Sequence, residues 1–115
     1  MIKIRKEKDE TIVSLFQVKK LNTLFSGLVE SQLAELVRED SNNIYFDLSG
    51  ISFIDSSGFS TLLNITEMAK EYNKDFMLCN ITDEVEELVS MLGIGNRFKI
   101  EHKELKSEPL MLEVE

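Results

Sequence analysis

Apolar and polar residues alternate from Ile2 to Lys6, and the β-prone run Thr11 to Val18 follows the polar turn Lys8-Asp9-Glu10. Two such segments across a short turn predict an antiparallel hairpin. The spacing then lengthens. Phe25, Leu28, Val29, Leu33, Leu36 and Val37 recur at helical intervals, after Asn22 or Thr23 as a capping residue. Gly27 falls inside this pattern and should weaken the helix by about 1 kcal/mol relative to Ala.

The turn cluster Asp40-Ser41-Asn42-Asn43 leads into an apolar strand over 44–48, which Ser49-Gly50 ends. Ile51 to Ile54 forms a short apolar bridge. A second amphipathic helix pattern runs from Phe59 to Tyr72, burying Phe59, Leu62, Leu63, Thr66 and Ala69, with Ile65 and Met68 widening the face. Asn73-Lys74-Asp75 closes it, and Phe76 to Ile81 reads as the next strand. Thr82 or Asp83 caps a third helix with Asp83, Glu84 and Glu86 in its first turn, where the helix dipole favours acid. Its stripe is Val85, Leu88, Val89 and Leu92; Gly93 or Gly95 ends it, and Phe98-Lys99-Ile100 returns as a final strand.

A hairpin, a helix, then alternating strands and helices predict one α/β domain. Its sheet is mixed and mostly parallel, with right-handed crossovers, the hairpin at the edges and helices packed on at least one face. The core extends to about residue 101. An acidic tail follows over 102–115, where Pro109 interrupts too little periodicity to assign an element.

Composition narrows the function more than the fold. A chain of 115 residues, 43% hydrophobic and 30% charged, has material for one globular core and is not compositionally disordered. No apolar stretch is long enough to span a bilayer, and the first residues do not form a secretory signal, so cytoplasm is the expected location, without membrane insertion. The formal charge of −8 argues against nucleic-acid binding, which needs clustered Lys and Arg. Cys79 and His102 are the only residues of their types and stand in unlike contexts, so no metal-ligand pattern exists. Cys79, within Phe76-Met77-Leu78-Cys79, reads as a small buried hydrophobe.

The candidate chemistry sits in Phe53-Ile54-Asp55-Ser56-Ser57-Gly58-Phe59, between the apolar bridge and the second helix. A hydrolase nucleophile elbow needs glycine two residues either side of the serine, and neither Ser56 nor Ser57 has both. Asp47 and Asp55 could form a carboxylate pair, but no further acid or ligand set supports acid–base catalysis. Gly93-Ile94-Gly95-Asn96 is not followed by the Lys-Ser/Thr of a phosphate-binding loop. What remains is an Asp and two hydroxyls at a helix start, with Gly58 permitting close backbone approach. That set serves either as a plain helix cap or as a place where a serine can carry phosphate near unpaired N–H groups.

Residues 1 to about 100 resemble the STAS domain, specifically the anti-sigma-factor antagonist family. Ile44-Tyr45-Phe46-Asp47-Leu48-Ser49-Gly50-Ile51-Ser52-Phe53-Ile54-Asp55-Ser56-Ser57-Gly58 is similar to that family's strand and Asp-Ser-Ser/Thr-Gly loop. Phe76-Met77-Leu78-Cys79-Asn80, Val85 to Gly93 and Arg97-Phe98-Lys99-Ile100 resemble its closing strand–helix–strand, and Leu21-Asn22-Thr23 resembles its first helix opening. The resemblance implies that Ser56 is the phospho-acceptor, with Ser57 the second choice. It places Asn22, Asp55, Ser56, Ser57, Gly58 and Phe59 on a partner-binding surface. Phe59-Ser60 departs from the small or aliphatic residues usual after the glycine. The implied partners are an anti-sigma factor that is itself a serine kinase and a metal-dependent serine phosphatase. The implied protein regulates transcription through a sigma factor, has no catalytic activity of its own and needs no cofactor. The same resemblance also admits a non-switching STAS subunit of a signalling scaffold or lipid-transport complex.

Overall fold

A computed structural model describes residues 2–40 and 42–101, so the expectations for the acidic tail lie outside the described residues. Strand β1 (Ile2–Lys6) pairs antiparallel with β2 (Glu10–Leu15), as the alternation predicted. β2 stops at Leu15, and Gln17 takes a left-handed φ of 60°, so the expected continuation to Val18 does not form. A two-residue strand β3 (Lys20–Leu21) leads into α1 (Thr23–Glu39). Strand β4 (Asn43–Asp47), the short β5 (Phe53–Ile54), α2 (Ser56–Glu71), β6 (Phe76–Cys79), α3 (Asp83–Leu92) and β7 (Lys99–Glu101) follow, with a 3₁₀ turn at Gly95–Arg97.

The main sheet has five strands in the order β1-β2-β4-β6-β7, and every pairing except β1–β2 is parallel. The hairpin is therefore only half an edge: β1 lies outside, while β2 is drawn inward beside β4. Its side chains explain why, since Ile12 and Val13 are both buried and an edge strand would leave one of them in water. On the helix-covered face, Val13, Leu15, Ile44, Phe46, Leu48, Phe76 and Leu78 meet Val29, Leu33 and Val37 of α1, Leu62, Ile65 and Ala69 of α2, and Val85 and Val89 of α3 in one core. Cys79 is buried, in keeping with its apolar context.

The apolar stripes are narrower than the sequence spacing suggested. Along α1 the buried positions are Ser26, Val29, Leu33 and Val37, whereas Leu28 is 49% exposed. Leu28 and Val29 are about 100° apart on a helix, and only the second faces the core. Leu92, expected on the α3 stripe, is 58% exposed in the last turn, where the chain leaves the helix at left-handed Gly93. Strand β6 ends at Cys79 and not at Ile81, because Asn80 adopts a left-handed φ of 56°.

Helix α2 starts at Ser56, three residues before the amphipathic pattern begins, since its first turn is built from polar and small residues. The bridge before it is β5, which pairs in parallel with β3: Lys20 lies opposite Phe53 and Leu21 opposite Ile54. This two-stranded ladder delivers two helices side by side and positions everything described below.

Gly27 is exposed, and a Cβ added there meets nothing within 4 Å. Gly27→Ala is expected to stabilise the domain by roughly 0.5–1 kcal/mol, from propensity and a less flexible unfolded chain. An unchanged or lower urea midpoint would contradict this.

Candidate functional site

The in-register pairing of Leu21 with Ile54 sets the next residues, Asn22 and Asp55, at the starts of neighbouring helices. The ladder continues one step further through the Asp55 N–H, which donates to the Leu21 carbonyl at 3.1 Å. Each of the two residues caps its own helix. Asn22 Oδ1 accepts the Leu24 N–H at 3.1 Å, and Asp55 Oδ1 accepts the Gly58 N–H at 2.9 Å. Of the two caps the sequence allowed for α1, Asn22 is the one used.

Asp55 also reaches across to the other helix. Its Oδ2 accepts the Thr23 N–H at 3.1 Å, an α1 donor that has no partner within its own helix. Thr23 Oγ1 lies 3.4 Å from the same oxygen. One carboxylate thus serves the positive ends of two helices. The Ser57 hydroxyl and the Gly58 N–H outweigh partial burial, and the Thr23 groups add to them, so the Asp55 carboxyl is held below its ordinary range and stays ionised.

The two serines occupy different environments. Ser57 donates its proton to Asp55 Oδ1 at 2.7 Å. Its oxygen can then only accept, and it lies 3.3 Å from the Ser26 hydroxyl and 3.2 Å from that of Thr23. Ser57 is half-buried in this cluster. Ser56, at the first helical position, is exposed, and its hydroxyl has no hydrogen-bond partner among the described residues.

Gly58 explains the spacing of the motif. It is buried, and a Cβ there would come within 2.5 Å of the Leu21 carbonyl oxygen and 2.7 Å of Ile54 Cγ2. The β3–β5 ladder and the start of α2 can approach this closely only without a side chain. Of the two expectations for Phe59, burial by the α2 stripe holds and a place on the partner-binding surface does not. Phe59 is only 5% exposed and packs into the core, because it is the first residue of the buried α2 stripe. The solvent-facing part of this cluster consists of Asn22, Thr23, Asp55, Ser56 and part of Ser57. Asp47 is apart from this cluster: it is buried at the end of β4, where it accepts the Ser49 N–H at 3.0 Å. No hydrogen bond among the described residues links it to Asp55. Ser26 was not singled out by the sequence, and Thr23 only as an alternative cap for α1, not as a partner of Asp55 and Ser57.

Two outcomes follow from this geometry. Gly58→Ala should destabilise the domain by about 1–3 kcal/mol, because backbone must move to relieve the contact with Leu21. A urea midpoint within error of wild type would contradict the close approach. Asp55 has a folded pKa below its unfolded value, so its contribution is present above the ordinary carboxylate range and is lost as pH falls through the lowered value. Asp55→Asn should therefore flatten the loss of stability expected of wild type below about pH 4. Superimposable pH profiles from chemical denaturation would show that the carboxylate contributes nothing.

A STAS domain family description matches residues 3–106. Among solved structures, an anti-sigma-factor antagonist (STAS) domain protein from Planctomyces limnophilus superposes with a TM-score of 0.79 at 19% identity, covering 90% of this chain and 91% of that one. A Thermotoga maritima protein, provisionally described as an anti-sigma factor antagonist, gives 0.74 at 22% identity, with 86% and 84% covered. The Bacillus cell fate determinant SpoIIAA in its phosphorylated form gives 0.65 at 14% identity, with 90% and 93% covered. At these identities the structural likenesses establish the shared fold, while the family description spans nearly the whole described chain. This protein belongs to the STAS domain family.

Proposed function

We propose that this chain is an anti-sigma-factor antagonist: a protein-binding module, without catalysis of its own, that is switched by phosphorylation of Ser56. In the unphosphorylated state, the surface formed by Asn22, Thr23, Asp55 and Ser56 docks on an anti-sigma factor that is itself an ATP-dependent serine kinase, and a sigma factor is released. The observation that carries this reading is the exposed Ser56 hydroxyl, without a hydrogen-bond partner among the described residues, beside a Ser57 hydroxyl already engaged. The family membership supports it, as does the phosphorylated form in which SpoIIAA has been solved.

In the transfer, Ser56 Oγ forms a bond to the γ-phosphorus of ATP. The bond to the bridging oxygen breaks, ADP leaves, and the hydroxyl proton passes to a base on the kinase. Ser57 is the poorer acceptor, since its proton is committed to Asp55 and its oxygen accepts from α1. A phosphate on Ser56 brings about −1.5 to −2 charges. The N–H groups of Ser56 and Ser57, without partners among the described residues, and the α2 dipole favour that charge; ionised Asp55 opposes it. With these effects opposed, the fold tolerates the group, while a partner surface matched to a neutral hydroxyl meets a dianion. A metal-dependent serine phosphatase reverses the change by hydrolysis to inorganic phosphate. No helix among the described residues is long and apolar enough to cross a membrane, and the reading places the switch in the cytoplasm.

Incubation with candidate anti-sigma factor kinases and ATP, followed by mapping of the modified residue, tests the reading. Phosphate is expected on Ser56. Failure of every such kinase to modify it would favour a non-switching STAS subunit. Ser56→Ala should keep partner affinity and resist phosphorylation, whereas Ser56→Asp should weaken binding at least tenfold, about 1.4 kcal/mol. Equal dissociation constants for the two variants by calorimetry would overturn the switch.

A further inference from the structure

Ser57 is hydrogen-bonded to both helices, and this gives the adjacent serines different roles. We infer that Ser57 is a pin joining the starts of α1 and α2, and that Thr23 and Ser26 are the positioning residues that hold it. The inference deepens the reading above, in which Ser56 is the acceptor, but concerns the response of the junction and needs no partner. Three hydroxyls and one carboxylate form the pin: Ser57 to Asp55 Oδ1 at 2.7 Å, Ser26 to Ser57 at 3.3 Å, and Thr23 to Ser57 at 3.2 Å. Thr23 and Ser26 occupy the first turn of α1 and Ser57 that of α2, so every bond to Ser57 from α1 crosses the interface.

The chemistry of Ser57 Oγ makes the pin specific. A hydroxyl has one proton and two lone pairs; here the proton goes to Asp55, one lone pair accepts from Ser26, and the other faces the Thr23 hydroxyl, whose proton is shared between Ser57 and Asp55 Oδ2. Phosphorylation at Ser57 removes the proton that Asp55 accepts. It also sets a dianion against that carboxylate in a half-buried site, so α1 must separate from α2 to admit it. The same group on exposed Ser56 replaces no hydrogen bond among the described residues. Modification of one serine changes the surface; modification of the other opens the junction.

The test uses the full chain with phosphoserine introduced during translation at position 56 or at position 57. The 56-modified protein is expected to keep the Thr23 and Ser26 amide resonances of the unmodified chain. The 57-modified protein should displace them and melt ~5 °C lower or more. Positioning is read separately from the Hα–Hβ couplings of Ser57. These should report one rotamer in wild type and in Thr23→Ser, and rotamer averaging in Thr23→Val combined with Ser26→Ala. A general loss of stability would not average the couplings of one serine in the folded state. Unchanged Thr23 and Ser26 resonances in the 57-modified chain would overturn the pin, and a single Ser57 rotamer in the double variant would overturn the role of Thr23 and Ser26. Neither readout depends on an anti-sigma factor, so failure of the proposed function and failure of the pin are distinguishable.

Discussion

Two helix N-termini, each with unpaired N–H groups and a positive dipole end, are brought together at the end of the β3–β5 ladder, and the Asp55 carboxylate holds them there. Without an anion between them, two like dipole ends would repel and their first-turn donors would be left to solvent. Asp55 meets both needs with one residue, giving Oδ1 to α2 and Oδ2 to α1. The close approach depends equally on Gly58, which lets the α2 start pass against the Leu21 carbonyl. The remaining features of the site are arranged around this contact.

The contact also separates a rigid part from a responsive one. Beneath it, Leu21, Ile54 and Phe59 are nearly inaccessible to solvent and tie both helix starts to the core. Above it, Ser56 stands exposed at the first helical position. A charge added there acts mainly on whatever approaches from solvent, so a change in partner affinity needs no change of fold. This division suits a module whose output is association.

The order of strands and helices was legible along the chain because each long element carries its own period. The motif Asp55-Ser56-Ser57-Gly58 could also be located, since capping residues and a close-packed glycine have local signatures. Short elements were not visible: β3 and β5 have two residues each, too few for any period to declare itself, and they exist because each pairs with the other across the fold. For the same reason, Leu28 and Leu92 matched helical spacing yet lie on the solvent side. Spacing gives a direction around a helix, whereas neighbours decide how wide the buried stripe is.

By itself, the sequence determined an α/β domain, a polar cap with two serines at the start of its second helix, and the absence of a nucleophile elbow or phosphate-binding loop around them. Only the tertiary structure decided that the serines differ and that Thr23 and Ser26 belong to the site. The physical reason is range. Capping and periodicity act within a few residues, but Thr23 and Asp55 are 32 positions apart along the chain and meet only when a parallel ladder sets two helix starts in register.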